Sequence, residues 1–223
     1  MIKRRTYLGG CFTLLLAASM SWATTTRAES IEDSAKAFLD TLSGKALQSL
    51  TVKGVPRMER IEKFRKLFNE YFAVKTIGQW VLGRYWRKAT PEQQKEYLDL
   101  FEDLIVVSYV DRFAQYTGSG LKIVKTLANN EKVATVYSEI TQPNSAQVVR
   151  VNWRIRKSSK LIKIVDVVVE GTSMSITMKS DFGSTIRNKG GEVAGLIEVL
   201  RDKTAALKKK IAHNNAPTPL SFI

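Results

Sequence analysis

Only one cysteine, Cys11, and one histidine, His213, occur among the 223 residues. Cys11 lies in the N-terminal apolar run, so a chain that loses this run keeps neither a thiol nor a disulfide. His213 begins a polar tail, HNNAPTPLSFI, which sets residues 213–223 apart from the body of the chain. Zinc sites and histidine acid–base catalysis therefore lack their usual ligands and proton carriers, and no metal or other cofactor is expected. Acids are scarce as well: 21 against 35 lysines and arginines, a formal net charge of +14. Long apolar runs are missing. The N-terminal run, YLGGCFTLLLAASMSW, is too short to span a bilayer comfortably.

That run reads as the core of a signal peptide over residues 1–28. Lys3, Arg4 and Arg5 precede it, and the small residues of SWA and TRA offer cleavage after Ala23 or Ala28. The acidic, helix-starting segment that follows directly favours Ala28. RRTYL has the paired arginines of a twin-arginine signal, but Lys3 stands where such signals carry Ser or Thr, so either export route stays open. LGGC resembles a lipobox, yet Cys11 precedes the apolar run instead of following it, which argues against lipidation. Removing residues 1–28 takes away four of the positive charges and no negative one, leaving +10. In an exported protein this balance suits an anionic lipid surface, an acidic partner, or plain solubility; nucleic acid is not expected.

About 195 residues then remain, enough for one domain with a substantial core, here residues 29–212. The first half has helical periodicity. Residues 31–50 carry Ile31, Ala35, Phe38, Leu39, Leu42, Ala46 and Leu50; residues 57–72 carry Met58, Ile61, Phe64, Leu67, Phe68 and Tyr71. A shorter helix, 74–82, stops at Gly83. Thr90, Pro91 and Gln93 form a capping box that opens a long helix, whose one broad apolar face runs through Tyr97, Leu98, Phe101, Leu104, Ile105, Tyr109, Phe113 and Tyr116. Four strands follow, at about 121–128, 132–141, 147–157 and 161–169, separated by turn residues at Asn129-Asn130, Pro143-Asn144 and Ser158-Ser159. On the third, Val149, Val151, Trp153 and Ile155 alternate with Arg150, Asn152, Arg154 and Arg156, so one face is wet. Helices at about 173–188 and 192–211 close the chain. Helices, then a meander, then helices means α+β, with helices packed on one face of a strongly twisted antiparallel sheet of about four strands. A bent sheet over a long helix leaves an apolar pocket.

Two blocks carry a resemblance. VLGRYWRKATPEQQKEYLDLF, then YTG, and IVDVVVEGTSMSITMKSDFGSTI are similar to the exported MlaC/Ttg2D family, over about Phe64 to Leu200. The resemblance implies a monomeric, non-enzymatic periplasmic phospholipid carrier that maintains outer-membrane lipid asymmetry. Its partners would be an outer-membrane lipoprotein complex and an inner-membrane ABC transporter with a substrate-binding ring. SMSITMKSDFGSTIRNKGGEVAGLIEVLRDKT is similar to the branch associated with hopanoid biosynthesis, which makes a hopanoid the alternative cargo. Thr177-Met178 stands where the family often has an aromatic pair.

A carrier needs an apolar interior, since each buried methylene contributes about 0.8 kcal/mol and a sixteen-carbon tail on the order of 12 kcal/mol. The expected walls are Leu82, the helix face of Phe101, Ile105 and Tyr109, the sheet face of Val149, Val151 and Trp153, and the stripe Met174, Met178 and Phe182. Methionines repack around variable shapes; equally, stripes at helical spacing form ordinary cores. Tyr85 and Trp86, among Arg84, Arg87 and Lys88, suit a headgroup or membrane contact, or a helix-end cluster packed on the next helix. Arg150, Arg154 and Arg156 suit an acidic partner or a protected sheet surface.

Asp166 and Glu170 share a strand face. A two-residue hairpin at Ser158-Ser159 puts Asp166 on the Trp153 face, between helices and sheet. There it ties a helix to the sheet, or acts as the base of a small pocket enzyme with Tyr109 or Tyr116 as oxyanion donor, the arrangement of steroid isomerases. Glu170 is expected to pair with a nearby Arg or Lys at the corner, where Gly171 turns the chain and Thr172 or Ser173 caps the next helix. A third reading is a module that recognises anionic membranes without extracting lipid.

Overall fold

The structure is a computed structural model that describes residues 29–115, 120–141, 147–159 and 161–213, without the side chains of 112–115 and 211–213. The expected signal peptide, the side chain of Phe113, Tyr116, the Pro143-Asn144 turn and residues 214–223 lie outside the described residues. Among the described residues six helices and five strands follow one another as α1 (Ile31–Leu50), α2 (Arg57–Tyr71), α3 (Val74–Leu82), a 3-10 turn (Gly83–Lys88), α4 (Pro91–Gln115), β1 (Leu121–Asn130), β2 (Val133–Thr141), β3 (Val148–Lys157), β4 (Ile162–Val169), β5 (Thr172–Ser173), α5 (Met174–Asn188) and α6 (Val193–His213). The sheet is open and antiparallel in the order β1-β2-β3-β4-β5. Five strands replace the expected four or so. The extra one is only two residues long and arises because Glu170 and Gly171, with φ of 47° and 83°, fold the chain straight back so that Thr172 pairs with Val169.

Local chemistry explains the helix starts. The Ser30 side chain accepts the Asp33 N–H at 3.1 Å and so caps α1. The capping box of α4 is complete: the Thr90 N–H donates to Gln93 Oε1 at 3.0 Å and the Gln93 N–H to Thr90 Oγ1 at 3.3 Å. Gly83 ends α3 as expected, with φ of 58°, but the chain continues as a 3-10 turn instead of an open loop. Gln94 holds that turn against α4 by donating to the carbonyls of Trp86 and Ala89 at 2.9 and 3.3 Å. At the other end of the bundle the buried Arg60 donates to the Leu50 and Val52 carbonyls, which satisfies the C-terminus of α1.

α1 lies across β1, β2 and β3, while α2, α3 and α5 approach β4. The Ala73 N–H donates to the Ile164 carbonyl at 2.9 Å, so the α2–α3 junction covers part of the free edge of β4. α4 packs on α2, α3 and α6 and comes comparably close to no strand. Its apolar residues therefore do not form one face. Val106, Val107 and Val110 enter a core shared with α1, α2 and the sheet; Tyr97 and Phe101 enter a second core shared with α3, α5 and α6. A helix sandwiched between two neighbours buries two sides, and periodicity alone cannot separate that from one wide stripe.

The polar positions of α4 tie it to both flanks. Arg65 of α2 reaches Glu102 and Asp103 at 2.7 Å each, and Lys208 of α6 reaches Asp103 from the other side. Burial alone would raise the Asp103 carboxyl, but the hydrogen bonds and charges of Lys208 and Arg65 outweigh it and hold the group below its usual range. The sign follows from that lowered folded value. The contribution to stability is present above the unfolded value of about 3.9 and is lost as pH falls through the folded one. Thermal melts are expected to show Asp103→Asn with a smaller loss of Tm than the parent between about pH 5 and pH 2.5. Equal acid limbs would show that this bridge does not contribute.

Candidate functional site

The expected lipid contacts fall into two groups. Ile105 and Tyr109 of α4 and Trp153 of β3 are half-buried against the sheet-side core. Val151 is buried on the same strand face as Trp153, and Val149 is half-buried near the strand end. The pairing Val136↔Trp153, Ser138↔Val151 and Ile140↔Val149 makes this a continuous inner surface of β2 and β3. Tyr109 Oη lies 3.9 Å from Met174 Sδ, a weak link between α4 and the first residue of α5. Ser138, which the sequence reading did not single out, orders the surface. Its buried hydroxyl donates to the Val151 carbonyl at 2.7 Å and accepts the Trp153 indole N–H at 2.9 Å. Its place in the alternation Ala134, Val136, Ser138 is the signal that could have found it.

Leu82, Tyr85, Trp86, Phe101, Met178 and Phe182 instead belong to the second, all-helical core. Phe182 meets Tyr97 and Phe101 edge-on, at ring centroid distances of 6.2 and 6.5 Å. Tyr97 donates to the Gly78 carbonyl at 2.9 Å, and burial pushes its phenol up, so it stays a neutral donor. Gly78 lets α3 approach this closely: a Cβ there would stand 2.8 Å from Leu98 Cδ2.

Two hollows open on the surface. One, of about 370 Å³, is lined by Ala37, Phe38, Thr41, Glu70, Tyr71 and Ile162. The other, of about 320 Å³, is lined by Val81, Leu82, Gly83, Arg84, Tyr85, Lys179, Gly183 and Arg187. Neither is an enclosed chamber between α4 and the sheet.

The acids occupy positions that the hairpin parity did not anticipate for Asp166. Ile155 pairs with Ile164 but Arg154 pairs with Asp166, so Val165 is an extra residue in β4. This bulge reverses the side-chain alternation. Ile164 faces the core, Trp153 pairs with Val167, and Asp166 turns to the Arg154 face instead of the Trp153 face. It is buried all the same, because α5 starts over it. Its carboxylate accepts from Ser173 Oγ at 2.8 Å, Ser175 Oγ at 2.7 Å and the Ser175 N–H at 3.2 Å, with Arg154 Nη1 at 3.6 Å. Asp166 thus ties the start of α5 to the sheet, on the opposite face from Trp153. Glu170 accepts the Arg150 N–H at 2.5 Å and pairs with its guanidinium at 3.6 Å, and the Ser173 side chain caps α5. Glu170 and the Gly-Thr-Ser corner behave as the sequence implied.

Among the described residues no helix is long and apolar enough to cross a membrane. Comparison with known proteins supplies what this geometry leaves open. The chain is 25% identical over 134 residues to the toluene tolerance protein ttg2D of Pseudomonas putida, covering 60% of this chain and 61% of that one. It is 29% identical over 126 residues to the intermembrane phospholipid transport system binding protein MlaC of Haemophilus influenzae, covering 54% and 58%. It therefore spans about three fifths of the length of these curated relatives. A solved structure of the phospholipid-binding protein from Ralstonia solanacearum, in complex with a phospholipid, superposes with a TM-score of 0.69 at 26% identity, over 78% of this chain and 98% of that one. The family model described as MlaC protein matches residues 40–202, which takes in α2 to α5, the whole sheet and about half of α1 and of α6. On that match, the chain belongs to the MlaC family.

Proposed function

We propose that this protein is a non-enzymatic, monomeric periplasmic carrier that holds phospholipid acyl chains in its interior. It shuttles lipid between an outer-membrane complex and an inner-membrane ABC transporter and so serves to maintain outer-membrane lipid asymmetry. The observation that carries the reading is the phospholipid held by a solved structure of the same fold at 26% identity. In this chain the tails enter between α4 and the inner face of β2 and β3. That space is bounded by Ile105, Tyr109, Val149, Val151, Trp153 and Met174. Two features support this choice of wall. α4 has its main backbone contacts with α2, α3 and α6 and none as extensive with a strand, and the contact from Tyr109 to Met174 at the start of α5 is weak enough to part. The residues of the helical core pack ring on ring and serve as the rigid backing of that wall.

Native mass spectrometry of protein purified without detergent tests the reading and identifies the cargo. Bound phospholipid supports it. A hopanoid, suggested by the similarity of residues 173–204 to the hopanoid-associated branch, keeps the carrier and changes the cargo. Empty protein at full occupancy of the fold overturns it. Filling the gap with Ile105→Trp is expected to lower the lipid load at least tenfold while costing only about 1–3 kcal/mol of stability from overpacking. An unchanged load in that variant would place the tails elsewhere.

A further inference from the structure

The hollow of about 320 Å³ beside α3 and α5 is unusual in its charge. Arg84, Lys179 and Arg187 line it, and Lys88 Nζ stands 6.0 Å from the ring centre of Tyr85. Arg84 Nη2 donates to the Tyr85 hydroxyl at 3.1 Å and stacks its guanidinium 5.0 Å from the same ring centre. These contacts, with the Arg187 charge behind them, lower the Tyr85 phenol from its ordinary value. Among the described residues none of the four cations has a carboxylate within ion-pairing distance; the carboxylates that do form ion pairs form them with other lysines and arginines. All four cations are solvent-exposed, so water screens their mutual repulsion and leaves them accessible to an anion arriving from outside. Guanidinium groups are well shaped to bind a phosphate diester through paired donors.

The rim carries the second half of the observation. Trp80 is 45% exposed and Ile176 is 59% exposed, two of the eight exposed large apolar side chains among the described residues. Lys179 joins them. Its ammonium lies 4.1 Å from the centre of the Trp80 ring, and it follows Ile176 by three residues on the same side of α5. Gly83 makes room for this lysine: a Cβ there would meet Lys179 Cε at 3.2 Å. An indole and an aliphatic side chain around phosphate-binding cations is the chemistry of the headgroup layer, where rings sit at the interface and cations meet phosphates. An acidic protein would engage the cations but has no need of the exposed Trp80 and Ile176.

We propose that this recess and its rim, Trp80, Arg84, Tyr85, Ile176, Lys179 and Arg187, dock the protein on bilayers that carry anionic phosphate headgroups. The inference goes beyond the carrier reading and does not depend on what the interior holds. It also gives Tyr85 a membrane role while leaving Leu82, Phe101 and Phe182 as packing.

The test uses the full mature chain and vesicles of phosphatidylcholine with or without phosphatidylglycerol, read by co-sedimentation and tryptophan fluorescence. Binding is expected only to the phosphatidylglycerol vesicles and is expected to fall with salt. Arg84→Gln/Lys179→Gln/Arg187→Gln weakens it by roughly a hundredfold, since each cation near such a surface contributes about a factor of five. Trp80→Ala weakens it less. The control Lys122→Gln/Lys125→Gln/Arg156→Gln removes equal charge from the outer face of the sheet and keeps the binding. Thermal melting checks that all variants are folded. The proposal is overturned by equal losses in both triple variants or by parental binding in the recess variant. Loss of binding only to an acidic protein, with vesicle binding unchanged, overturns it in favour of a protein partner. The cargo found by mass spectrometry is expected to be the same in the recess variant, so failure of docking and failure of the carrier reading give different results.

Discussion

Phe101→Ala is expected to destabilise the protein by about 3–5 kcal/mol. In a chain of this size that is a fall in Tm of roughly 6–20 °C, with no change in lipid per folded molecule. Phe101 is fully buried in the helical core, with Tyr97 and Phe182 as ring neighbours at 6.0 and 6.5 Å. Truncation leaves a cavity that α3, α5 and α6 cannot all close, because Gly78 already brings α3 to the limit of approach. A cycle with Phe182→Ala should show coupling of about 0.5–1.5 kcal/mol beyond the lost burial. The measurement is a thermal or denaturant melt beside lipid quantification. A small stability change with a large loss of lipid would return Phe101 to the pocket wall.

Asp166→Ala should cost about 3 kcal/mol, or roughly 6–12 °C in Tm. It removes the acceptor of three hydrogen bonds at the start of α5 and leaves the Ser175 hydroxyl and N–H buried without it. Asp166→Asn keeps one carbonyl acceptor and should cost less. Both variants are expected to hold and transfer lipid once folded, because the carboxylate lies on the opposite face of the sheet from Trp153. Loss of a turnover activity in Asp166→Asn, at parental stability, would revive the steroid-isomerase-like reading.

These two residues show how far the pattern of the chain reaches. The helix starts were legible because a cap is a local object: Thr90 and Gln93, or Ser173 and Ile176, are three residues apart and need no partner from elsewhere. The wet face of β3 was legible for the same reason, since alternation along one strand decides it. The expected lipid contacts were legible only as apolar stripes. Phe101 and Ile105 are four residues apart on one helix side, yet Phe101 lies in the helical core and Ile105 packs against both cores.

By itself the sequence determined the α+β order, the element bounds to within a residue or two at most ends, the alternation of β3 and the capped corner after Glu170. All of these follow from backbone propensity and periodicity within one segment. Only the tertiary structure decided the face of Asp166, the splitting of α4 between two cores and the gathering of Arg84, Lys179 and Arg187 in one recess. The bulge at Val165 exists only through pairing with β3, and α4 has two buried sides only because α6 returns against it. Cations about a hundred residues apart meet only when α5 packs on α3. Periodicity tells which side of a segment is buried; the partner on that side is a long-range contact that no local pattern encodes.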